Sequence, residues 1–239
     1  MIQKSDDSSV CAFTKAEFPA ESISRTQQSL MSANITESSL AEPAKIIASG
    51  GLIAFRTDTF YGLGADPLNS LAIRKIKELK GRDAKPILLL ISDYAQVARF
   101  ITQPPDLFRA IANHFWPGPL TLVSKARPAL PEELTAGTGT VGLRLPDDDD
   151  VRSLVRACGG ALTATSANPS GDLPARSAAD VQHYFGDQVD LVVNGGRVTV
   201  LHASTVLDLS GPEPRMVREG AISKDTLSAM LREIGVTLV

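Results

Sequence analysis

The stretch Leu52-Ile-Ala-Phe-Arg-Thr-Asp-Thr-Phe-Tyr-Gly-Leu-Gly64 sets a short apolar run against hydroxyls, a carboxylate and two glycines. Leu52 to Phe55 follows the Gly50-Gly51 break and reads as a buried strand. Thr57, Asp58 and Thr59 then supply small polar groups, and Gly62 and Gly64 read as loop positions free to take positive φ and to let a ligand approach the backbone. A strand that delivers such a loop is the expected start of a binding site.

Working outward, Ser39-Leu-Ala-Glu42 matches a capping box, and Gly50-Gly51 closes the helix it would open. Residues 1–38 are rich in Ser, Thr, Gln and Asp without an apolar period; they read as a disordered N-terminal tail, with Met31 an alternative start. Residues 39–239 are then expected to form one domain. Downstream, Leu71, Ile73, Ile76 and Leu79 mark the apolar face of a helix ending at Gly81. Strands are expected at Ile87 to Ile91, Leu120 to Ser124, Val141 to Leu145, Ala161 to Thr165, Leu191 to Val193, Ser204 to Asp208 and Pro214 to Arg218. Helices are expected at Asp93 to Ile101, Pro105 to Phe115, Ser177 to Phe185 and Ser223 to Ile234. The expected fold is α/β: a single domain with one core and a twisted, mostly mixed or antiparallel sheet flanked by helices, since several connections are too short for helical crossovers.

Composition narrows the function. The 239 residues are 43% hydrophobic and 21% charged, enough for a sizeable core, and the net charge of −3 argues against a global polyanion-binding surface. Cys11 and Cys158 are too few for a disulfide framework, and His114, His183 and His202 stand apart in sequence, so a cysteine protease or zinc hydrolase has little support. No apolar run reaches the roughly 18–20 residues of a membrane helix, and no signal-peptide core opens the chain; the expected location is cytoplasmic.

Gly137-Thr-Gly-Thr-Val-Gly142 matches a dinucleotide fingerprint in form, but a strand follows it where a helix is required. No phosphate-binding Gly-x4-Gly-Lys-Ser/Thr loop exists. Asp147 to Asp150 reads as an acidic helix start rather than a metal cluster. Lys80, Arg82 and Lys85 crowd one turn, as a solvated face or as an anion site. With Thr59, Arg144, Ser166, Asn168, Ser204, Thr205 and Arg218 they make a set of hydroxyls, an amide and cations suited to a carboxylate and a polyphosphate bound side by side.

Thr57-Asp-Thr-Phe-Tyr-Gly-Leu-Gly64, Lys80-Gly-Arg82, Lys85-Pro86, Trp116-Pro-Gly-Pro-Leu-Thr121, Val141-Gly-Leu-Arg144, Ser166-Ala-Asn168 and Ser204-Thr-Val-Leu-Asp208 occur in this order. Together, over about Leu40 to Gly220, they resemble the YrdC-like threonylcarbamoyl-AMP synthase family. The resemblance implies a nucleotidyltransferase that joins L-threonine, bicarbonate and ATP, with Mg2+ accompanying ATP and no tightly bound organic cofactor. The threonylcarbamoyl group is then destined for tRNA, so tRNA and a tRNA-threonylcarbamoyltransferase complex are implied partners. It assigns Lys80 and Arg82 to catalysis. Arg82, Lys85, Thr140, Ser166, Asn168 and Arg218 are assigned to ATP; Thr59, Arg144, Ala164 and Ser204 to threonine; no residue is assigned to a resident metal.

The sequence departs from that pattern at Arg56 and Asp83, where the family usually has proline, and at Leu90, which is histidine in some long members. The chain resembles the short, single-domain form, without the C-terminal regulatory domain of longer members. Three alternatives stay open: an RNA-binding, ribosome-maturation module of the same fold; a carbamoyl-transfer domain like that of hydrogenase-maturation proteins; and family members of uncertain role.

Overall fold

The structure, a computed structural model, describes residues 37–81, 85–200 and 202–239. The expectations for the tail before Glu37, and for Arg82 and Asp83, lie outside the described residues.

The chain runs α1 (Glu37–Ala48), β1 (Ile53–Arg56), β2 (Tyr61–Gly64), α2 (Ser70–Lys80), β3 (Leu89–Ile91), a 3-10 turn (Tyr94–Gln96), α3 (Val97–Phe100), α4 (Asp106–Phe115), β4 (Leu120–Lys125) and α5 (Glu132–Thr135). It continues through β5 (Thr140–Arg144), α6 (Asp149–Ala157), β6 (Ala161–Thr163), β7 (Thr165–Ser166), α7 (Ala178–Phe185), β8 (Leu191–Val193), β9 (Thr205–Asp208), β10 (Arg215–Arg218) and α8 (Lys224–Glu233).

The α/β class and the mixed pairing are as expected, but the strands divide between two sheets where one was anticipated. Four strands lie in the order β7-β2-β1-β8 and six in the order β10-β9-β4-β5-β3-β6. Two apolar clusters replace the expected single core. The larger joins the sheets to α2, α4, α7 and α8, while the smaller packs Ile47, Ile53, Phe55, Leu90, Val151 and Val155 between α1, α6 and the strand faces.

The run from Ala161 to Thr165, expected as one strand, is where the sheets meet. Its first part, β6, pairs with β3 through Leu89↔Thr163; its second, β7, pairs with β2 through Leu63↔Thr165. Only Ala164 lies between them.

Gly62 and Gly64 are not loop residues. Both lie in β2, which pairs antiparallel with β1 (Phe55↔Gly62, Ile53↔Gly64), and neither is among the glycines with positive φ. What Gly64 supplies is room: a Cβ there would come within 2.7 Å of the Phe55 ring. The expected capping box also fails, because α1 already runs from Glu37, so Ser39 and Glu42 lie inside the helix.

The end of α2 follows the sequence reading. Gly81 takes a left-handed φ of 60°, and its N–H bonds the carbonyls of Lys77 and Glu78. Asp148 caps α6 by accepting from the Val151 N–H, so the acidic run is a helix start as expected. The one-turn helix α5 has no counterpart in the sequence reading; four residues are too few to show a period.

Candidate functional site

On the six-stranded sheet, alternate residues face opposite ways. Along β4, Leu120 and Leu122 enter the larger core while Thr121 and Val123 face outward; along β5, Val141 and Leu143 go inward while Thr140, Gly142 and Arg144 face outward. Val206 and Asp208 on β9, with Arg215 and Val217 on β10, continue the outward surface. Register aligns Gly142, Val123, Asp208 and Arg215 in one cross-strand row.

This face floors a cavity of about 540 Å3. Its walls are the β1–β2 turn (Thr57, Thr59, Phe60), the segment Lys85 to Leu88, and the switch segment Ala164 to Ser166. Ser204 and Arg218 line it as well.

The β1–β2 turn is fixed by its own hydroxyl. Thr57 Oγ1 accepts from the N–H groups of Thr59 (3.1 Å) and Phe60 (3.2 Å) and donates to the Phe60 carbonyl at 2.7 Å. That places Thr59 Oγ1 at 3.3 Å from Arg144 Nη2, which donates to it.

Arg144 is 3% exposed, and its Nη1 lies 2.8 Å from Asp58 Oδ1. That approach is an ion pair out of line for hydrogen bonding, so Arg144 Nε and Nη1 and Asp58 Oδ1 all lack hydrogen-bond partners among the described residues. Burial pushes the Arg144 guanidinium below its ordinary value; Asp58 opposes the shift and the Arg218 cation adds to it. Burial likewise raises the Asp58 carboxyl, against the pull of Arg144 and of the nearby backbone N–H groups of Asp147 and Asp58 itself. A buried guanidinium with unused donors is costly unless an acceptor arrives, and a carboxylate is the acceptor whose geometry fits.

Ser204 Oγ contacts Thr121 Oγ1 at 3.1 Å and accepts from Arg218 Nη2 at 3.1 Å. Arg218 also donates through Nε and Nη2 to the Ser204 carbonyl, so this cation orients Ser204 as well as lining the cavity. Lys85 stands exposed at the rim and Thr140 Oγ1 pairs with Thr138 Oγ1 at 2.9 Å.

Lys80 and Asn168 sit differently from the other candidates: neither lines the cavity. Lys80 is 5% exposed and its Nζ donates to the carbonyls of Ser166 and Asn168. The Asn168 amide donates to the Pro169 and Asp172 carbonyls, both at 2.8 Å. The pair thus holds the Ser166 loop in shape behind the wall. Leu90 belongs to the smaller apolar cluster, and Leu88 lines the cavity instead.

The family profile described as telomere recombination, covering Sua5, YciO and YrdC proteins, matches residues 45–220. The chain belongs to the Sua5/YciO/YrdC family. Family relatives include the threonylcarbamoyl-AMP synthase of Bacillus subtilis, 35% identical over 82% of this chain and 58% of that one. The Thiobacillus denitrificans threonylcarbamoyl-AMP synthase is 43% identical over 67% of this chain and 86% of its own. Among solved structures, Pyrococcus abyssi Sua5 complexed with L-threonine superposes with a TM-score of 0.81 at 32% identity, covering 87% of this chain and 61% of that one. The chain therefore spans less than two thirds of the longer Sua5-type relatives.

The fold brings Thr59, Lys85, Thr140, Arg144, Ala164, Ser166, Ser204 and Arg218, residues that the resemblance singled out, to one cavity. Sequence reasoning placed Asp58 in the binding loop without a specific contact and assigned no role to Thr121, Asp208 or Arg215. The signal for Thr121 and Asp208 was parity, since each shares a strand face with Val123 or Val206.

No helix among the described residues is long and apolar enough to cross a membrane.

Proposed function

We propose that the protein is an L-threonylcarbamoyladenylate synthase, converting L-threonine, bicarbonate and ATP to threonylcarbamoyl-AMP and pyrophosphate. The observation that carries this reading is Arg144, buried at the cavity floor with Nε unpartnered, Nη1 held only by its ion pair to Asp58, and the Thr59 hydroxyl beside it. An amino-acid carboxylate supplies the missing acceptors, and Thr59 and Ser204 offer hydrogen bonds to the substrate's hydroxyl. The Ala164 backbone forms the adjacent wall.

ATP takes the rest of the cavity, its phosphates near Lys85, Thr140 and Ser166 and within reach of Arg218. Arg82 is assigned there by the motif alone. Lys80 and Asn168 act by shaping the Ser166 loop. Magnesium enters as part of the substrate, on the phosphate oxygens. The cavity fits this arrangement, since the polar groups on its walls are mainly cations and hydroxyls, and its carboxylate Asp208 is already bonded to Ser210 and Arg215.

The reaction asks for positioning more than for a dedicated base. Bicarbonate loses its C–OH oxygen as hydroxide to give carbon dioxide; the neutral threonine amine forms an N–C bond to that carbon and loses a proton, which joins the hydroxide as water, giving a carbamate. A carbamate oxygen then bonds the α-phosphorus as the bond to the β-phosphate oxygen breaks and pyrophosphate leaves. Cations offset the repulsion between carbamate and phosphate, and the fixed turn holds the two reactants in line. The product is handed to the tRNA-threonylcarbamoyltransferase complex, with tRNA the final acceptor.

Threonine- and bicarbonate-dependent release of pyrophosphate from ATP is the test. Threonine should exceed serine by roughly tenfold to a few hundredfold and valine by up to about four orders of magnitude, because a site built to bond a hydroxyl is left with unpaired groups when it is missing. Equal rates with valine, or turnover without any amino acid, would sink the reading.

A further inference from the structure

Two oppositely oriented ion pairs join the β1–β2 turn to the connection between β5 and α6. In the first, Arg144 at the end of β5 meets Asp58 in the turn. In the second, Arg56 at the end of β1 meets Asp148, with Nη2 to Oδ2 at 2.6 Å. One segment presents cation then anion at positions 56 and 58; the other presents cation then anion at 144 and 148. The partners cross from the four-stranded sheet to the six-stranded one at the amino-acid end of the cavity.

Other contacts hold each side of this crossing. The Asp147 backbone N–H also favours the Asp58 carboxylate, a second electrostatic contact between the same segments. Arg152 bonds the Pro146 carbonyl and Asp149, so the connection is anchored to α6. The stem of Arg56 lies over Gly195, where a Cβ would come within 2.9 Å of Arg56 Cβ. Tyr61 Oη fixes that glycine loop, accepting from the Gly195 N–H at 3.2 Å and donating to the Gly196 carbonyl at 2.8 Å. Arg56 therefore has a packed base and one ionic partner.

The turn is internally braced through Thr57, so any displacement relative to β5 would carry it as a unit. A small rotation would take Thr59 Oγ1 away from Arg144 Nη2, whose bond at 3.3 Å is already long. We infer that the Arg56–Asp148 pair, working with Asp58–Arg144, is a clasp that sets the spacing between the two sheets at the amino-acid end, making Arg56 and Asp148 positioning residues for amino-acid selection. This rests on the synthase reading above. Lys85 and Thr140, at the ATP end, lie on neither clasped segment's turn nor its cap, so ATP affinity should be insulated from the clasp.

The experiment compares wild type, Arg56→Met, Asp148→Asn, the double variant and Arg56→Lys, measuring the threonine KM, the ATP KM and melting temperature. Asparagine retains the helix cap while losing the charge, so α6 keeps its start. Each single neutral variant should raise the threonine KM by about tenfold and leave the ATP KM within about twofold, since displaced positioning groups act on the substrate they orient. The double variant should be no worse than either single, the mark of one shared interaction. Arg56→Lys, which keeps the charge, should recover most of the loss. Wild-type turnover with an unmoved threonine KM in both singles overturns the clasp alone. So do equal rises in both KM values that follow a fall in melting temperature, and so do additive effects in the double. Wild-type protein that releases no pyrophosphate with threonine overturns the synthase reading and the clasp with it.

Discussion

Arg144 and Lys85 line the same cavity from opposite circumstances. Arg144 is 3% exposed, braced by a carboxylate and a hydroxyl, and its Nε has no hydrogen-bond partner among the described residues. Lys85 is exposed at the rim, one residue beyond a segment outside the described residues. The first arrangement concentrates discrimination: desolvation is already incurred, and only a ligand that supplies an acceptor in the right plane restores the lost hydrogen bonds. The second supplies attraction that solvent and salt moderate. One cavity thus has an end suited to selection and an end suited to charge, as the proposed amino acid and polyphosphate would require.

The sharpest way to break this contrast is at the buried end. Arg144→Gln should reduce threonine-dependent turnover by at least about a hundredfold, because positioning and carboxylate contact are lost together. It should also destabilise the fold by about 3–5 kcal/mol, reduced to the extent that the stranded Asp58 takes up a proton. Steady-state kinetics and denaturant unfolding check the two parts. Near-normal threonine turnover would move selection elsewhere.

At the exposed end, Lys85→Ala should weaken ATP by roughly tenfold to a hundredfold, the usual effect of removing one charge-assisted contact. Threonine affinity should hardly change. The wild-type ATP affinity should also fall as salt rises, and the slope should be shallower in the variant. Titrations at two salt concentrations decide it; identical slopes would show that Lys85 does not meet phosphate.

Lys80 separates shaping from contact. Lys80→Met strands the carbonyls of Ser166 and Asn168, so it should lower stability by about 1–3 kcal/mol. Its effect on turnover should be that of a displaced Ser166 loop. If unfolding is unchanged while turnover collapses, Lys80 instead meets substrate.

The smallest expected effect is on pH dependence. Burial raises Asp58 above its ordinary 3.8, with Arg144 opposing. A native carboxyl that holds its proton more tightly than the unfolded one contributes stability that is fully present below the unfolded value and is lost as pH rises through the raised native value. Asp58→Asn should therefore flatten the stability profile across that window, which unfolding measured from pH 3 upward would register. An unchanged profile would mean that Arg144 outweighs burial at this carboxyl.

Much of this was legible in the sequence where local chemistry decides the outcome. Gly81 ends α2, Asp148 and Ser177 cap their helices, and the strand runs at 120, 141, 191 and 205 lie close to where periodicity puts them. Long-range pairing was not legible. Gly62 and Gly64 look the same in sequence whether they bend a loop or lie in a strand where Gly64 makes room beside Phe55, and only the register with β1 distinguishes the two. Similarly, Lys80 and Lys85 look alike in a basic motif, yet the carbonyls of a loop some 86 positions on claim the first. Arg56, a departure from the family pattern, became interpretable only beside Asp148.

The single residue between β6 and β7 has a consequence for how the chain can vary. Ala164 is the only spacer between a strand pairing with β3 on one side and another pairing with β2 on the other, and its N–H is tied to the Leu88 carbonyl at 2.9 Å. Inserting or deleting one residue there would exchange the faces on which Thr163 and Ser166 stand, because strand side chains alternate with a period of two. The segment can therefore accept changes of side chain far more readily than changes of length, and length variation in this protein is expected to fall in its other connections.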